Sequence, residues 1–184
     1  MTSLADAQLD MRSGYYGGWP GIIVSGSAWF AAALVALFVG PRPALATLII
    51  GGMFIFPLSV LLGKIIGCAG THQKGNPLAP LAIYGTIWMV LSIPIAVGAA
   101  LTRIEWFFPA MLLVIGSRYL TFATIYGMRV YLIFGAVLIA AGVVTGLTSA
   151  SVFIGALAGA LIEYVFGVLI FMQHRSLRHA RNPA

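Results

Sequence analysis

The sequence predicts an all-α polytopic membrane protein, a bundle of six transmembrane helices arranged as three helical hairpins. Of its 184 residues, 61% are hydrophobic and 8% are charged, whereas charged residues make up about a quarter of a typical soluble domain. The mean hydropathy is +1.03. Six apolar segments each approach the roughly 20 residues that a helix needs to cross the hydrocarbon core. The alternating strands of a membrane β-barrel, of about ten residues each, are absent from the sequence.

Turn signals divide the chain into three parts. Residues 1–18 are polar and predict a short helix at the membrane surface, capped by Ser3; residues 19–173 form the six-helix domain, and residues 174–184 form a basic cytoplasmic tail. We expect Asn76 and Pro77 to be the cap and first residue of the third spanning helix. The predicted helices are 19–40, 44–66 and 77–101, a fourth that follows a turn at Arg103 and Glu105 and ends near Gly127, and then 130–147 and 152–173.

The distribution of basic residues predicts the orientation. With six spans both termini lie on one side, and the two sides can be compared. The terminal side carries seven basic residues, Arg12, Lys64, Lys74, Arg129, Arg175, Arg178 and Arg181, and the opposite side carries two, Arg42 and Arg103. By the positive-inside rule, we expect both termini to lie in the cytoplasm. The expected location is the inner membrane.

Arg118 is the most informative residue, because it lies in the middle of the fourth apolar segment, where a charge costs several kcal/mol unless it faces the bundle interior. Of the four carboxylates, only Glu163 also lies within an apolar segment. Arg118 follows Glu105 by 13 residues and Glu163 follows Ser151 by 12. At about 1.5 Å per residue both lie about 18–20 Å below the outer boundary. We therefore expect the two side chains to face each other, either as a structural ion pair or as a ligand site.

Other residues are expected to complete this interior. Ser117, Thr121 and Thr124 share a face of the fourth helix with Arg118. Two indoles near mid-membrane, Trp29 and Trp88, are expected either to line a central cavity or to pack between helices. Small residues that permit close helix contact form ridges on the second and sixth helices, namely Gly51, Gly155, Gly159 and Gly167.

Several functional classes have no support in the sequence. The motifs HExxH and GxSxG and the phosphate-binding Gly-rich loop are absent, so an enzyme is disfavoured. A single cysteine and three dispersed histidines predict neither a metal site nor a cofactor. The net charge of +6 comes from residues scattered between apolar segments, so the expected partner is the lipid bilayer and not a nucleic acid. The last two helices also carry pairs of glycines four residues apart, Gly142 and Gly146 and Gly155 and Gly159. These pairs predict a homo-oligomer, since they offer more sites of close approach than one interior needs.

Three functional hypotheses remain open at this stage. The first is a small-solute or proton-coupled carrier or channel with its site at Arg118 and Glu163. The second is a non-transporting membrane protein that acts through association with itself or a partner. The third is a lipid-modifying membrane enzyme. A polar cavity reaching Arg118 would favour the first, a dry bundle with exposed small-residue ridges the second, and a lateral opening beside polar groups the third.

Three stretches carry a family resemblance. GGMFIFPLSVLLGK, KGNPLAPLA and EWFFPAMLLVIGSRYLTFATIYGMR resemble a family of small bacterial integral-membrane proteins classed as a domain of unknown function. The likeness extends over most of the chain. It implies a multi-helix bacterial membrane protein, and it brings no activity or functional residues with it.

Overall fold

The computed structural model describes residues 3–181, with side chains described from Ser3 to His174, and over this range it is all-helical without strands. Six helices are long and apolar enough to cross a membrane, which confirms the predicted fold class. The helices are α1 Leu4–Tyr15, α2 Trp19–Phe38, α3 Pro41–Ile65, α4 Ala79–Thr102, α5 Phe107–Tyr126, α6 Val130–Leu147 and α7 Val152–Arg181. Single 3₁₀ turns, Tyr16–Gly18 and Ile104–Trp106, precede α2 and α5.

The helix limits agree with the predicted ones within two residues at most boundaries, and three of the differences have a local structural explanation. α3 begins at Pro41 itself, because a proline fits the first turn of a helix and the chain turns at Gly40, whose φ is 139°. α4 begins at Ala79, three residues after the predicted cap. The backbone of α7 continues as a helix to Arg181, into the predicted basic tail, whose side chains beyond His174 lie outside the described residues.

Four helices form the centre of the bundle and two lie at its flanks. α2 packs on α7 and α5 packs on α6, while α7 contacts both α5 and α6 and joins the two pairs. α3 packs mainly on α2, and α4 mainly on α5. Only 6% of the most apolar window of α3 and 11% of that of α4 is buried, against 44% for α5 and 39% for α7. α3 and α4 therefore present most of their surface to the surroundings of the chain.

Aromatic rings fill the space between α5, α6 and α7. Tyr119 stacks on Phe134 with ring centroids 4.1 Å apart, and Phe134 stacks on Phe166 at 4.7 Å. The backbones of α5 and α6 approach closely where Gly116 meets Gly135, because a Cβ on Gly135 would lie 2.6 Å from the carbonyl oxygen of Gly116. The glycines therefore allow the close α5–α6 contact that supports the ring cluster.

The predicted small-residue ridge of α7 lies against α2 and α5. A Cβ on Gly155 would lie 2.8 Å from Cβ of Phe108, and one on Gly167 would lie 2.8 Å from the side chain of Ile23. A Cβ on Gly159 would overlap the ring of Trp29. On α3, a Cβ on Gly51 would lie 3.0 Å from Cβ of Ala28 on α2. All four glycines thus lie at contacts within one chain.

The N-terminal helix α1 is attached to the loop between α3 and α4. Ser3 and Asp6 form a reciprocal capping box at its start. Asn76 donates from Nδ2 to the carbonyl oxygen of Ala7 at 3.0 Å and to the Asp10 carboxylate at 2.7 Å. Asn76 Oδ1 accepts from the backbone N–H of Leu78, two residues on, so Asn76 forms an Asx turn ahead of α4 instead of capping it.

The thiol of Cys68 belongs to the same contact between the loop and α1. Cys68 Sγ donates to the carbonyl oxygen of Gly14 at 2.9 Å, and the N–H of Gly70 donates to that same oxygen. Partial burial raises the pKa of the Cys68 thiol, with a smaller opposing effect from a backbone hydrogen bond of Gly70. The thiol is therefore more protonated at neutral pH than an ordinary cysteine.

We predict that Gly159→Ala strongly destabilises the protein, because the new methyl group overlaps Trp29 in the α2–α7 contact. Overpacking of this kind costs about 1–3 kcal/mol or more. Gly98→Ala, at a helical glycine with open space around it, is the matched control and should be neutral or slightly stabilising. Thermal denaturation of both variants in the same detergent measures the difference. Equal melting temperatures would contradict the close α2–α7 contact.

Candidate functional site

Glu163 lies in the centre of the bundle and is completely buried. The polar groups that interact with its carboxyl are the Ser25 hydroxyl, the Tyr119 hydroxyl and the Trp29 indole. None of them reaches hydrogen-bonding geometry, so neither carboxyl oxygen has a partner. α2, α5 and α7 therefore enclose an acidic group that lacks the hydrogen bonds buried polar groups normally have.

A glycine on α2 makes room for this carboxyl-bearing side chain. A Cβ on Gly26 would lie 3.3 Å from Cβ of Glu163 and equally close to the ring of Tyr164. Ser25 and Trp29 are four residues apart on α2 and so share the helix face that looks towards Glu163. The i, i+4 spacing of Ser25 and Trp29 was visible in the sequence but was not used in the prediction. Tyr119 was not predicted because Arg118, the charged residue before it, was taken as the inward-facing residue of that helix.

The two mid-membrane tryptophans have different environments. Trp29 is fully buried, with its ring 5.7 Å from that of Phe108, and its indole Nε1 has no hydrogen-bond partner. Trp88 lies on α4 with 56% of its surface exposed. The two indoles do not line a common cavity, because Trp29 faces the α2–α7 contact and Trp88 faces outward from a flanking helix.

Arg118 lies between α5 and α4. Its Nη2 donates to Thr86 Oγ1 at 3.1 Å, and its Nη1 donates to Met89 Sδ at 3.4 Å. The guanidinium carbon lies 5.3 Å from the centroid of the Phe122 ring, a cation–π geometry. The third guanidinium nitrogen, Nε, is buried without a partner.

The expected direct contact between Arg118 and Glu163 is not formed. Arg118 points to α4, whereas the next residue, Tyr119, lies 100° further round α5 and faces Glu163. The two charged groups influence each other only through space. Residue counting placed them at the same depth, but depth does not determine the rotation of α5, which is set by the helices that pack on its two sides.

The predicted hydroxyl stripe beside Arg118 is bonded to its own helix. Ser117 Oγ donates to the carbonyl oxygen of Val114 at 2.8 Å, and Thr121 Oγ1 donates to that of Arg118 at 2.7 Å. Thr124 is exposed near the end of α5, where its carbonyl oxygen accepts a hydrogen bond from Gln8 of α1 at 2.9 Å. Thr121 thus bonds the backbone of Arg118 and faces Gly85 of α4, while Thr124 belongs to the contact with α1.

An apolar groove of about 580 Å³ separates parts of α2 and α3. Its walls include Ile23 and Ala28 of α2 and Phe54, Leu58 and Leu62 of α3. Neither Arg118 nor Glu163 lines this groove. In the described residues there is also no group of three or more His, Cys, Asp or Glu side chains that could hold a metal ion.

Comparison with protein-family models places most of the chain in one family. A model described as a family of unknown function, DUF7010, matches residues 4–173. No curated protein and no solved structure matches the chain. The matched range includes all six spanning segments and both interior charges, in agreement with the resemblance inferred from the sequence.

The geometry predicts which pairs of residues are energetically coupled. Thr86→Val and Arg118→Leu should show a coupling free energy of about 1 kcal/mol in a double-mutant cycle, because they remove the same hydrogen bond. Arg118→Leu and Glu163→Gln should be additive within about 0.5 kcal/mol, since the two groups are not in contact. Reversible unfolding in mixed detergent micelles measures both cycles. A larger coupling free energy for Arg118 and Glu163 than for Arg118 and Thr86 would mean that the two charged side chains are in direct contact.

Proposed function

The chain belongs to DUF7010, a family of unknown function, and we propose that it is a multi-pass membrane carrier of small solutes that couples their movement to protonation of Glu163. One observation carries the proposal: a completely buried carboxyl group whose two oxygens lack hydrogen bonds. Ionisable residues at membrane depth are rare, and they commonly mark ion and proton pathways.

The energetic argument concerns what such a group can do in its observed surroundings. An ionised carboxylate in an apolar interior is very unfavourable unless it is paired or hydrogen-bonded, so a buried unpaired carboxyl binds a proton or gains a partner. A purely structural carboxyl would have its hydrogen bonds satisfied, because an unsatisfied buried group only costs stability. The lack of partners in this arrangement is what favours a cycle in which the surroundings of Glu163 change.

The architecture supplies elements that can move. α3 and α4 lie outside the four-helix centre, and each contains an internal proline, Pro57 and Pro94 respectively. A proline interrupts the helical hydrogen-bond ladder and permits bending. α4 also carries Thr86 and Met89, the neutral partners of Arg118. Bending of α4 would therefore break these hydrogen bonds and release the guanidinium of Arg118 on α5.

The proposed setting is the inner membrane of a bacterial cell, with both termini in the cytoplasm, for which the support is the excess of seven basic residues against two. On the same orientation, α1 and the loop from Gly67 to Asn76 lie on the cytoplasmic side. A carrier in this orientation has its polar network of Asp10 and Asn76 at the cytoplasmic end of α4.

A homo-oligomer is the second part of the proposal. The support is the exposure of α3 and α4, whose outward side chains include the large residues Phe56 and Trp88. The glycine ridges of α7 are occupied by contacts within the chain, so the interface we propose uses α3 and α4 instead. Association alone, without transport, would not account for the unpaired Glu163, and a lipid-modifying site would need polar groups beside the α2–α3 groove, whose walls are largely apolar.

The protonation of Glu163 can be tested with dicyclohexylcarbodiimide, an apolar reagent that modifies protonated carboxyl groups. Wild-type protein in detergent should gain one adduct, detected by intact-mass spectrometry, and the labelling rate should fall as the pH rises because the carboxyl loses its proton. Glu163→Gln should remove the adduct, and Glu105→Gln, at the membrane boundary, should retain it. Labelling that persists in Glu163→Gln would assign the reactive acid elsewhere.

Transport itself is measured in proteoliposomes that contain an entrapped pH-sensitive dye. Lactate, succinate, inorganic phosphate and alanine are added in turn, and we expect at least one to change the internal pH with wild-type protein. Glu163→Gln should reduce that change to the level of protein-free liposomes, whereas Glu105→Gln should not. Equal fluxes with wild-type protein and Glu163→Gln would contradict proton coupling at this residue.

We predict that the mass of the protein in mild detergent or nanodiscs corresponds to a dimer or larger assembly of the 19.5 kDa chain. Trp88→Ala, at the centre of the exposed face of α4, should shift the population towards the monomer, because tryptophan anchors contribute strongly to interfaces. Leu147→Ala, an exposed residue at the end of α6, is the control. A monodisperse wild-type monomer would contradict the oligomer.

A further inference from the structure

Arg118 is a cation in the middle of a membrane-spanning helix whose bonded partners are all neutral. The sequence contains four acidic side chains, and each lies within the described residues. Asp6 is bonded to Ser3, and Asp10 is bonded to Asn76 and to the N–H of Gln73. The remaining two, Glu105 and Glu163, therefore decide whether Arg118 has a counter-charge.

Neither of these two carboxylates neutralises the guanidinium by contact. Glu105 precedes Arg118 by 13 residues, about 20 Å along a helix axis. Glu163 is buried on the other side of α5, and neither of its oxygens has a partner. The α4–α5 contact thus holds a positive charge with no protein anion bound to it, at a depth where such a charge is costly.

The guanidinium retains unused donors. An arginine side chain has five N–H groups in a planar fork, and two hydrogen bonds from Nη1 and Nη2 are formed here, while Nε has none. The ring of Phe122 lies over the guanidinium, and rings of this kind fix its plane. A fixed fork with free N–H groups matches the two oxygens of a carboxylate or phosphate.

The surroundings of the Arg118 side chain include a glycine and two hydroxyl groups. Gly85 of α4 lies beside the aliphatic stem of Arg118, where a Cβ would lie 3.6 Å from Thr121 Oγ1 and 3.9 Å from Cγ of Arg118. Thr86 Oγ1 donates to the carbonyl oxygen of Ala82 at 3.0 Å and accepts from Arg118. A threonine hydroxyl can rotate from a backbone acceptor to a ligand oxygen. Thr86, which contacts the guanidinium, and Thr121, which faces Gly85 across the α4–α5 contact, can therefore supply two further donors.

We infer that Arg118, Thr86 and Thr121 form an oxyanion site between α4 and α5, which takes a carboxylate or phosphate group. As a statement about substrate class, this inference rests on the proposed carrier function; as a statement about binding, it is measured without transport. The oxyanion comes either from a small solute or from a phospholipid headgroup. Thr86 is seven residues from the start of α4, about 10 Å, a distance that a displaced headgroup can bridge.

Binding of the free anions is tested by thermal unfolding of the full chain in a neutral glycoside detergent. Sodium acetate and sodium phosphate are titrated at constant ionic strength against sodium chloride. At a roughly hundredfold excess over Kd, we expect the anion that binds to raise the unfolding temperature by about 5 °C, because a ligand that binds only the folded state stabilises it. Arg118→Gln should remove the shift, and Arg103→Gln, on the outer boundary beside Trp106, should retain it.

The phospholipid source is tested on the same preparations by native mass spectrometry after exchange into phosphatidylglycerol vesicles. Retention of the lipid by wild-type protein and Arg103→Gln, but not by Arg118→Gln, assigns the site to a headgroup. If neither acetate, phosphate nor phosphatidylglycerol distinguishes wild-type protein from Arg118→Gln, the oxyanion site is wrong. If Arg118→Gln does not fold, Thr86→Val is measured in its place. It preserves the shape of the side chain and should weaken binding several-fold.

The two proposals fail in different ways. Anion binding by wild-type protein and Glu163→Gln alike, without any internal pH change in proteoliposomes, would leave the oxyanion site standing and overturn the carrier function. Proton flux that depends on Glu163, with no anion or lipid bound through Arg118, would leave the carrier standing and overturn the oxyanion site.

Discussion

The close approach of α7 to α2 is the contact on which the rest of the interior depends. It exists because Gly159 leaves space for the ring of Trp29 and Gly26 leaves space beside Glu163. In a bilayer the helices gain little from hydrophobic association, since lipid tails are as apolar as the side chains, so packing at small residues is a main source of attraction. The same contact that supplies this packing also removes Glu163 from lipid and water. Stability of the bundle and isolation of the acid are therefore two results of one arrangement of glycines.

α5 separates the two interior charged residues, so that each has its own surroundings. Arg118 and Tyr119 are adjacent in sequence but point to different neighbours, one to α4 and the other to the Glu163 cluster. A direct ion pair would neutralise both charges and hold the helices in one state. Two separated groups instead leave an acid without hydrogen bonds and a cation with unused donors at different faces of one helix. A rotation or shift of α5 would change the surroundings of both groups at once, which is the physical basis of the coupling that we propose.

The sequence was sufficient for the number, type and approximate limits of the spanning helices, because hydropathy and helix length follow directly from the thickness of the bilayer. It was also sufficient to single out Arg118 and Glu163, since charges within apolar segments stand out without any structure. It was insufficient for their contact, because the rotation of a helix depends on its tertiary neighbours. The start of α4 was misplaced for a related reason: Asn76 satisfies α1 and an Asx turn instead of capping the helix, and the contact with Ala7 spans 69 residues.

Trp29 and Trp88 also show that the sequence does not determine which face of a helix is buried. Both occur in a Gly-X-X-Trp context near mid-membrane, yet one is completely buried and the other 56% exposed. The difference lies in the partner helix: α2 has α7 and its glycine ridge on one side, whereas α4 has only α5. A chain whose flanking helices are each attached along one face keeps a well-packed centre and leaves α3 and α4 free to change their contacts. Since α4 also holds the neutral partners of Arg118, a flanking helix and not the packed centre determines what the interior cation binds.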